Sequence, residues 1–364
     1  MTSRSGLRTS RTTALVEVGT DAGISGVGSC SGNGTMIEFI VDNVLKPAVL
    51  GMDPTKTEEV WDQAYFGAVM RQAGSRGAGV VALSGLDVAL WDIRGKAENV
   101  PVYELLGGAQ RTKIEVYATA LYPEETANIV KRAVGFAEQG FKGIKIKLGF
   151  DLQQDMERVR AVRAAVGDDF PLMTDANQGY ELDAAIHAAA VLEQSGIGWF
   201  EEPLFFEDIE SHVRLKAASK VPIALGENLH TRYAFEPFIA RGAVDILQPD
   251  VARAGGISEV KRIAALAGAH GLPVSFHTWG DAVALAASLH LAAALKNSIV
   301  MELDCTYNPL RTELLRDRIE VRNGCMTAPQ GLGLGIQLNP KAVNRYAFSG
   351  EDEMSLRQKT LGII

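Results

Sequence analysis

Charged side chains recur at nearly regular intervals through the second half of the chain. Each follows a short apolar run, and successive positions from Lys147 onward are 23 to 28 residues apart. The positions are Lys145 with Lys147, Asp175 with Asn177, Glu201, Glu227, Asp250, His277 and Glu302. Because the carboxyl ends of parallel strands meet at one edge of a barrel, we expect these side chains to converge on one site.

Three of these carboxylates predict a metal ion. Asp175, Glu201 and Glu227 end three consecutive predicted strands, and carboxylates brought to one point repel one another unless a cation neutralises them. Oxygen ligands alone favour Mg²⁺, with Mn²⁺ as an alternative, and an incomplete octahedron leaves positions for a substrate. Zinc is disfavoured, because the sequence has no His/Cys cluster with ligand spacing.

The other recurring groups predict acid–base chemistry. Lys147, with Lys145 beside it, lies on one flank of the expected metal site, and the pair Asp250 and His277 lies on the other. A carboxylate next to an imidazole orients the ring and favours its protonated form. Two bases facing each other across a divalent cation indicate abstraction of the proton next to a carboxylate, with Lys145 stabilising the enediolate. Lys147 acts as a base only when neutral, and the nearby cations are expected to lower its pKa.

Alternating strands and helices are needed to position these groups. From about residue 112 the sequence predicts eight short strands separated by amphipathic helices. The strands are 114–118, 143–148, 172–177, 198–202, 223–227, 245–249, 273–277 and 300–304. Eight such units predict a parallel barrel. A doubly wound open sheet is the alternative, and the lack of a G-x-G-x-x-G motif after the first strand disfavours it.

The chain before the barrel has a different pattern. Two short strands around Asp21–Gly23 predict a hairpin, and residues 37–106 are mostly helical, most clearly over 82–97. We therefore predict an N-terminal domain over residues 1–111 and a barrel over 112–316. The segment 317–364 is expected to return to the N-terminal domain.

Composition excludes several classes of protein. The chain has 364 residues, of which 47% are apolar and 22% charged, as in soluble globular proteins. A net charge of −8 without runs of Lys or Arg predicts no nucleic-acid partner. The apolar stretch 282–295 is too short to cross a bilayer, and the N-terminus lacks a signal-peptide core. Three widely spaced cysteines, Cys30, Cys305 and Cys325, predict a cytoplasmic protein without a disulfide framework.

The combined motifs resemble the mandelate racemase subgroup of the enolase superfamily over roughly residues 13–340. They are 145–147, 175–177, 201–203, 226–228, 248–250 and His277, together with 82–96. The resemblance implies an α+β capping domain over a modified (β/α)7β barrel, and a homo-oligomer. It implies metal on Asp175, Glu201 and Glu227, with acid–base roles for Lys147 and the Asp250–His277 dyad.

The same resemblance bears on two further acidic residues. Glu201 is preferred to Glu202 as the ligand, because the next residue along a strand points to the opposite face. Glu302 matches an acid that, when protonated, hydrogen-bonds the enolate oxygen.

The resemblance also narrows the expected activity. Segments 199–203, 245–250, 277–280 and 308–311 are similar to those of sugar-acid dehydratases and aldarolactone cycloisomerases. This implies β-elimination from a small carboxylate, giving a 3-deoxy-2-keto acid. The alternatives are a racemase or epimerase of a 2-hydroxy acid on the same two bases, and a scaffold without activity. Asn177, His230 and Trp279 are the candidate substrate contacts.

Two features depart from the subgroup's pattern. About a dozen residues precede the first clear strand. This predicts a short or disordered lid over the site, unless the chain starts further upstream. The run Gly26–Cys30 replaces the usual glycine-then-acid ending of the second strand. Both departures are expected to affect substrate affinity rather than the metal site.

Overall fold

The computed structural model describes residues 11–67, 70 and 74–347, together with the backbone of residues 2–3 and 6–7. Strands and helices alternate regularly through the barrel. The strands are β1 (Thr2–Ser3), β2 (Gly6–Leu7), β3 (Thr13–Gly19), β4 (Ser25–Ser31), β5 (Ile114–Leu121), β6 (Ile144–Lys147), β7 (Leu172–Asp175), β8 (Ile197–Glu201), β9 (Ile223–Leu225), β10 (Ile246–Leu247), β11 (Met301–Asp304) and β12 (Cys325–Met326).

Helices cover both parts of the fold. Those before β5 are Gly34–Ile40, Lys46–Val49, Thr57–Phe66, Ala78–Ala97 and Val102–Leu105, with a π-helical turn at Val41–Leu45. Those of the barrel and the C-terminal segment are Thr126–Glu138, Leu152–Val166, Leu182–Gln194, Ile209–Ala218, Arg232–Ala240, Gly256–Ala269, Ala282–Ala294, Pro309–Thr312 and Pro340–Tyr346.

Seven parallel strands form the wall of the barrel. Their order is β10-β9-β8-β7-β6-β5-β11, and β12 adds an antiparallel pair at the start of β5. The register places Lys147 beside Asp175 and Asp175 beside Glu201. The predicted parallel barrel is therefore confirmed, and its register brings the ends of neighbouring strands together.

The predicted strand at 273–277 is not a regular strand. Only Val274 pairs there, bridging Leu247 on one side and Ser298 on the other. Pro249 lacks the N–H that would continue the ladder beyond Leu247, although the His277 N–H still donates to the Pro249 carbonyl at 3.3 Å. Val274 thus links β10 to the chain just before β11, and the Phe276 carbonyl accepts from the Glu302 N–H of β11 at 3.4 Å.

The N-terminal part packs a two-stranded sheet on one long helix. β3 and β4 pair antiparallel over their full length, and β4 lies directly on Ala78–Ala97. A Cβ at Gly28 would lie 2.0 Å from the Gly85 carbonyl oxygen, and one at Gly26 would lie 2.1 Å from that of Ala89. The unusual run Gly26–Cys30 therefore permits this close approach, and Cys30 is fully buried in the resulting core.

Three buried carboxylates connect the N-terminal part to the rest of the chain, and we call them the cap junction. Asp281 accepts hydrogen bonds from Thr13 Oγ1 at 2.5 Å and Ser29 Oγ at 2.9 Å. Asp87 accepts from Ser258, through the backbone N–H at 2.9 Å and Oγ at 2.6 Å.

The third carboxylate, Asp92, joins the C-terminal segment to the cap. It accepts from the Val27 N–H at 3.0 Å and the Leu334 N–H at 2.8 Å. The chain around Leu334 thus contacts the long helix of the N-terminal part, while residues 348–364 lie outside the described residues. The exact domain boundaries, 1–111, 112–316 and 317–364, stay a prediction.

The barrel interior is apolar below its charged end. Tyr117, Met173, Trp199, Ala224 and Ile246 fill it. No helix in the described part of the chain combines the length and apolar character that crossing a membrane requires.

Candidate active site

The ionisable residues predicted from the sequence converge at the carboxyl end of the barrel. Each of these residues is at most 8% exposed. We call this set the charged rim; it comprises Lys145, Lys147, Asp175, Glu201, Glu227, Asp250, His277 and Glu302. Strand register fixes the first four, and Glu302 lies within β11. Glu227 and Asp250 follow β9 and β10 by a few residues, and His277 follows the isolated bridge at Val274.

Asp175, Glu201 and Glu227 form a buried acidic triad. Each offers one oxygen, and the three oxygens lie within 4.8 Å of one another. Burial raises the pKa of Glu201 to about 7, although Lys145 opposes the shift. An all-oxygen, buried and mutually repelling set of donors fits a hard divalent cation.

Lys145 lies beneath the triad. Its Nζ is 2.6 Å from Glu201 Oε1, 2.9 Å from Glu302 Oε1 and 3.5 Å from Asp175 Oδ2. Burial lowers the pKa of Lys145, but the carboxylates of Glu201 and Glu302 outweigh it and hold the pKa well above its usual value. Lys145 is therefore a fixed positive charge facing the triad.

Lys147 occupies the Asp175 end of the triad. Its Nζ contacts the Asp175 carboxylate directly and donates to Asn177 Oδ1 at 2.9 Å. Burial lowers the pKa of Lys147, yet the Asp175 charge outweighs burial and the net shift is upward. The sequence predicts that neighbouring cations lower the pKa of Lys147. The pKa is raised instead, because the Asp175 carboxylate is in contact with the Lys147 ammonium.

The Asp250–His277 dyad occupies the Glu227 end. His277 Nδ1 is 2.7 Å from Asp250 Oδ2, and Nε2 is 3.0 Å from Glu227 Oε2. Burial lowers the pKa of His277, but Glu227 and Glu302 outweigh burial and raise it well above its usual value. Asp250 thus orients the ring so that Nε2 faces the triad.

Glu302 lies between Lys145 and His277. Its Oε2 is 3.6 Å from His277 Nε2, and Thr119 Oγ1 donates to Oε1 at 2.8 Å. Burial raises the pKa of Glu302, but Lys145 and His277 outweigh it and the pKa falls to about 2. These two cations therefore favour the ionised form of Glu302, and its role as a protonated hydrogen-bond donor stays a prediction.

Glu202 does not follow the strand alternation assumed from the sequence. β8 ends at Glu201, and Glu202 has a φ of 36°, so the backbone turns before the next residue. Both of its carboxylate oxygens accept from Asn228 Nδ2 at 2.9 Å. A neutral amide satisfies this carboxylate, and Glu202 is not part of the acidic triad.

A cavity of about 510 Å³ separates the charged rim from the N-terminal part. Asn177, His230 and Trp279, the three predicted substrate contacts, all line it. Trp279 carries the Arg11 guanidinium 3.6 Å above its ring centroid, and Arg11 pairs with the buried Asp304. Arg11 therefore holds the Trp279 ring in place at the cavity wall. Asn177 also positions Lys147, because its Oδ1 accepts a hydrogen bond from the lysine Nζ.

Sequence reasoning missed two residues of this site, Asn228 and Arg253. Arg253 Nη2 donates to Asn228 Oδ1 at 3.0 Å, and Arg253 lines the cavity. Both follow rim carboxylates closely in sequence, Asn228 by one residue after Glu227 and Arg253 by three after Asp250. That proximity is the signal that could have identified them.

Comparisons with known protein families agree with this geometry. Residues 128–342 match the family described as enolase C-terminal domain-like. Residues 2–107 match the mandelate racemase / muconate lactonizing enzyme N-terminal domain.

Individual relatives match over most of their length. D-galactarolactone cycloisomerase of Agrobacterium fabrum is 39% identical, covering 92% of this chain and 91% of the relative. Arabinonate dehydratase of Saccharolobus solfataricus is 35% identical, covering 91% and 89%. The crystal structure of the 3,6-anhydro-D-galactonate cycloisomerase from Zobellia galactanivorans has a TM-score of 0.87 and 37% identity, covering 92% and 94%. A racemase from Streptomyces coelicolor A3(2) with bound magnesium has a TM-score of 0.85 and 30% identity, covering 92% of each chain.

Proposed function

The chain belongs to the mandelate racemase / muconate lactonizing enzyme family of the enolase superfamily, and on that premise we propose that it is a Mg²⁺-dependent enzyme that performs β-elimination on a sugar acid or its lactone. The observation that carries the proposal is the placement of two proton-transfer groups at the two ends of one acidic triad. Lys147 contacts Asp175, and His277 contacts Glu227. Relatives with over 90% mutual coverage include a lactone cycloisomerase, which favours elimination over racemisation.

The acidic triad would hold the metal. Asp175, Glu201 and Glu227 would bind Mg²⁺, with Mn²⁺ as an alternative. When bound, the ion supplies positive charge next to the substrate carboxylate, which makes the adjacent proton more acidic. Lys145 adds a second positive charge at the same place, because its ammonium is buried against Glu201 and Glu302.

The remaining rim residues move protons. His277 or Lys147 takes the proton from the carbon next to the carboxylate, the choice depending on the configuration of that carbon. The C–O bond at the β-carbon then breaks, and His277 Nε2, oriented by Asp250, delivers a proton to the leaving oxygen. An open-chain acid needs this proton, because its hydroxyl leaves as water, whereas a lactone ring opens to a carboxylate that leaves without it. The enol product tautomerises to a 3-deoxy-2-keto acid.

We further propose that the enzyme acts as a homo-oligomer in the cytoplasm. Cys30, Cys305 and Cys325 are all free, as is typical of a reducing compartment. Light scattering of the purified protein tests the oligomer, and a monomer would contradict it.

The function is tested by NMR in deuterated water with Mg²⁺ and a panel of sugar acids and lactones. Loss of an α-proton signal together with a new 3-deoxy-2-keto product is the expected result. Deuterium incorporation without a new carbon skeleton would instead identify a racemase or epimerase. Absence of any Mg²⁺-dependent exchange across the panel would contradict the proposal.

A further inference from the structure

One positively charged side chain in the cavity wall forms no ion pair with the described carboxylates. Among the described residues, three lysine and arginine side chains line the cavity, Arg11, Lys147 and Arg253. Arg11 pairs with Asp304, and Lys147 pairs with Asp175. Arg253 forms no ion pair with any described carboxylate, and its side chain makes a single hydrogen bond, from Nη2 to Asn228 Oδ1. Since a guanidinium carries five N–H donors, most of them remain available to a ligand.

His230 lies in the same corner of the cavity. Its imidazole lines the cavity, is partly buried and makes no hydrogen bond to the described residues. Burial and the positive charge of Arg253 lower its pKa to about 4, so the ring is neutral and offers one N–H donor near pH 7. Arg76, which precedes the cavity-lining Gly77, contributes to the same positive potential and lies 3.6 Å from Glu207.

We infer that Arg253 and His230 form a second anion subsite, which takes the distal carboxylate of an open-chain dicarboxylic sugar acid. The inference rests on the proposed function, in which the rim holds the carboxylate next to the reacting carbon. The positive charge of Arg253 acts on Glu227 and lowers its pKa, but no described carboxylate hydrogen-bonds the guanidinium. A ligand carboxylate can satisfy its remaining N–H groups through two parallel hydrogen bonds. A monocarboxylic sugar acid presents a hydroxymethyl group at that end and leaves the charge unpaired.

Matched substrates test the inference directly. Galactarate and galactonate differ at the distal carbon only, as carboxylate and hydroxymethyl. We expect wild-type kcat/KM to favour galactarate, and Arg253→Gln to lower the galactarate/galactonate ratio of kcat/KM by about 10- to 100-fold, mainly through KM. Arg241→Gln is the control, because Arg241 is 49% exposed and pairs with Glu210 on an outer helix; its ratio should equal that of wild type. Equal preference in wild type, or an equal loss with both substrates in Arg253→Gln, would overturn the inference.

A binding experiment separates this inference from the proposed function and needs no variant. Adipate and its monoamide have the same six-carbon chain and differ by one negative charge. Calorimetry with wild-type protein and Mg²⁺ is expected to show about tenfold tighter binding of adipate. Equal affinity would overturn the subsite even if elimination is observed. Tighter adipate binding without turnover of any sugar acid would support the subsite and contradict the proposed function.

Discussion

The charged rim and the cap junction both bury carboxylates, but the partners of those carboxylates differ. In the cap junction, Asp281 accepts from two hydroxyls and from the N–H groups of Val283 and Ala284 at the start of a helix. Asp87 likewise accepts from one hydroxyl and one N–H. Asp92 accepts from two N–H groups and also pairs at 2.7 Å with the ammonium of Lys96, which is 32% exposed and does not line the cavity. In the charged rim, Asp175 and Glu201 instead face the ammonium groups of Lys145 and Lys147.

This difference separates a structural role from a chemical one. An N–H donor held by secondary structure keeps its proton, so a carboxylate bound to it serves only to connect elements. Ammonium and imidazole groups can release a proton, and those of the rim border a cavity large enough for a small substrate. Mutations should therefore affect turnover at the rim and stability at the junction.

The largest expected effect is at Lys147. Lys147→Ala removes one of the two proton-transfer groups, so kcat should fall by about 10³-fold, in the range of general acid–base catalysis. Lys142→Ala is the control, because Lys142 is exposed in the turn before the same strand. Both are measured by the NMR assay with Mg²⁺. A Lys147→Ala variant with wild-type kcat would remove Lys147 from the mechanism.

The next effect is expected at Asp250. Asp250→Asn loses the charge that orients His277 at 2.7 Å, and kcat should fall by about 10²-fold. Asp245→Asn is a matched control at the other end of β10, where Asp245 accepts from the Ile223 N–H and pairs with Lys216. Steady-state kinetics compare the two variants. Equal losses of kcat would show that Asp250 acts on stability alone.

The third prediction concerns His290, which connects elements as the junction carboxylates do. It is fully buried, accepts from the Tyr103 N–H and hydrogen-bonds the Leu334 carbonyl. Burial lowers its pKa to about 4, whereas the unfolded chain binds a proton below about pH 6.5. The folded state therefore keeps the full stabilisation from neutral His290 above pH 6.5. This stabilisation is lost as the pH falls toward 4, because the unfolded chain binds a proton that the folded protein does not. Lowering the pH from 7 to 5 should reduce the free energy of unfolding by about 2 kcal/mol through this group.

Urea unfolding at the two pH values measures this loss. His290→Gln should flatten the pH dependence relative to wild type, while His270→Gln should not, because His270 is exposed. An unchanged slope in His290→Gln would show that other groups cause the acid sensitivity.

The smallest effect is expected in the cap junction itself. Ser29→Ala removes one hydrogen bond to Asp281 and leaves the others in place, so the free energy of unfolding should fall by about 1 kcal/mol. Urea unfolding measures the change, and kcat should stay within about twofold of wild type. A large loss of kcat would mean that the junction contributes to the chemistry, and the distinction drawn above would fail.

The charged rim could be predicted from the sequence, whereas the cap junction could not. The rim was predictable because parallel strands place their last residues together, and charged groups at a spacing of 23 to 28 residues reveal that period. The junction was not, since Asp87 and Asp92 lie inside a helix and their partners are up to 242 residues away.

Three departures from the sequence-based expectations have local causes. Pro249 interrupts the pairing expected at 273–277. The positive φ of Glu202 ends the alternation that would have placed its side chain on the opposite face. Arg253 was missed because it lies beyond the strand end, in the loop that follows Asp250.

The hydrogen bond between Leu334 and Asp92 has a consequence for synthesis on the ribosome. The donor is 242 residues downstream of the acceptor, and translation at about 5–20 residues per second separates the two by roughly 10–50 s. Until Leu334 is synthesised, Asp92 in the long helix lacks this hydrogen-bond donor, and its carboxylate is left partly unsatisfied. The N-terminal part therefore gains its last hydrogen-bond donor to Asp92 only when the segment around Leu334 has been synthesised. A chain truncated before residue 334 should expose this carboxylate and be recognised by chaperones and proteases.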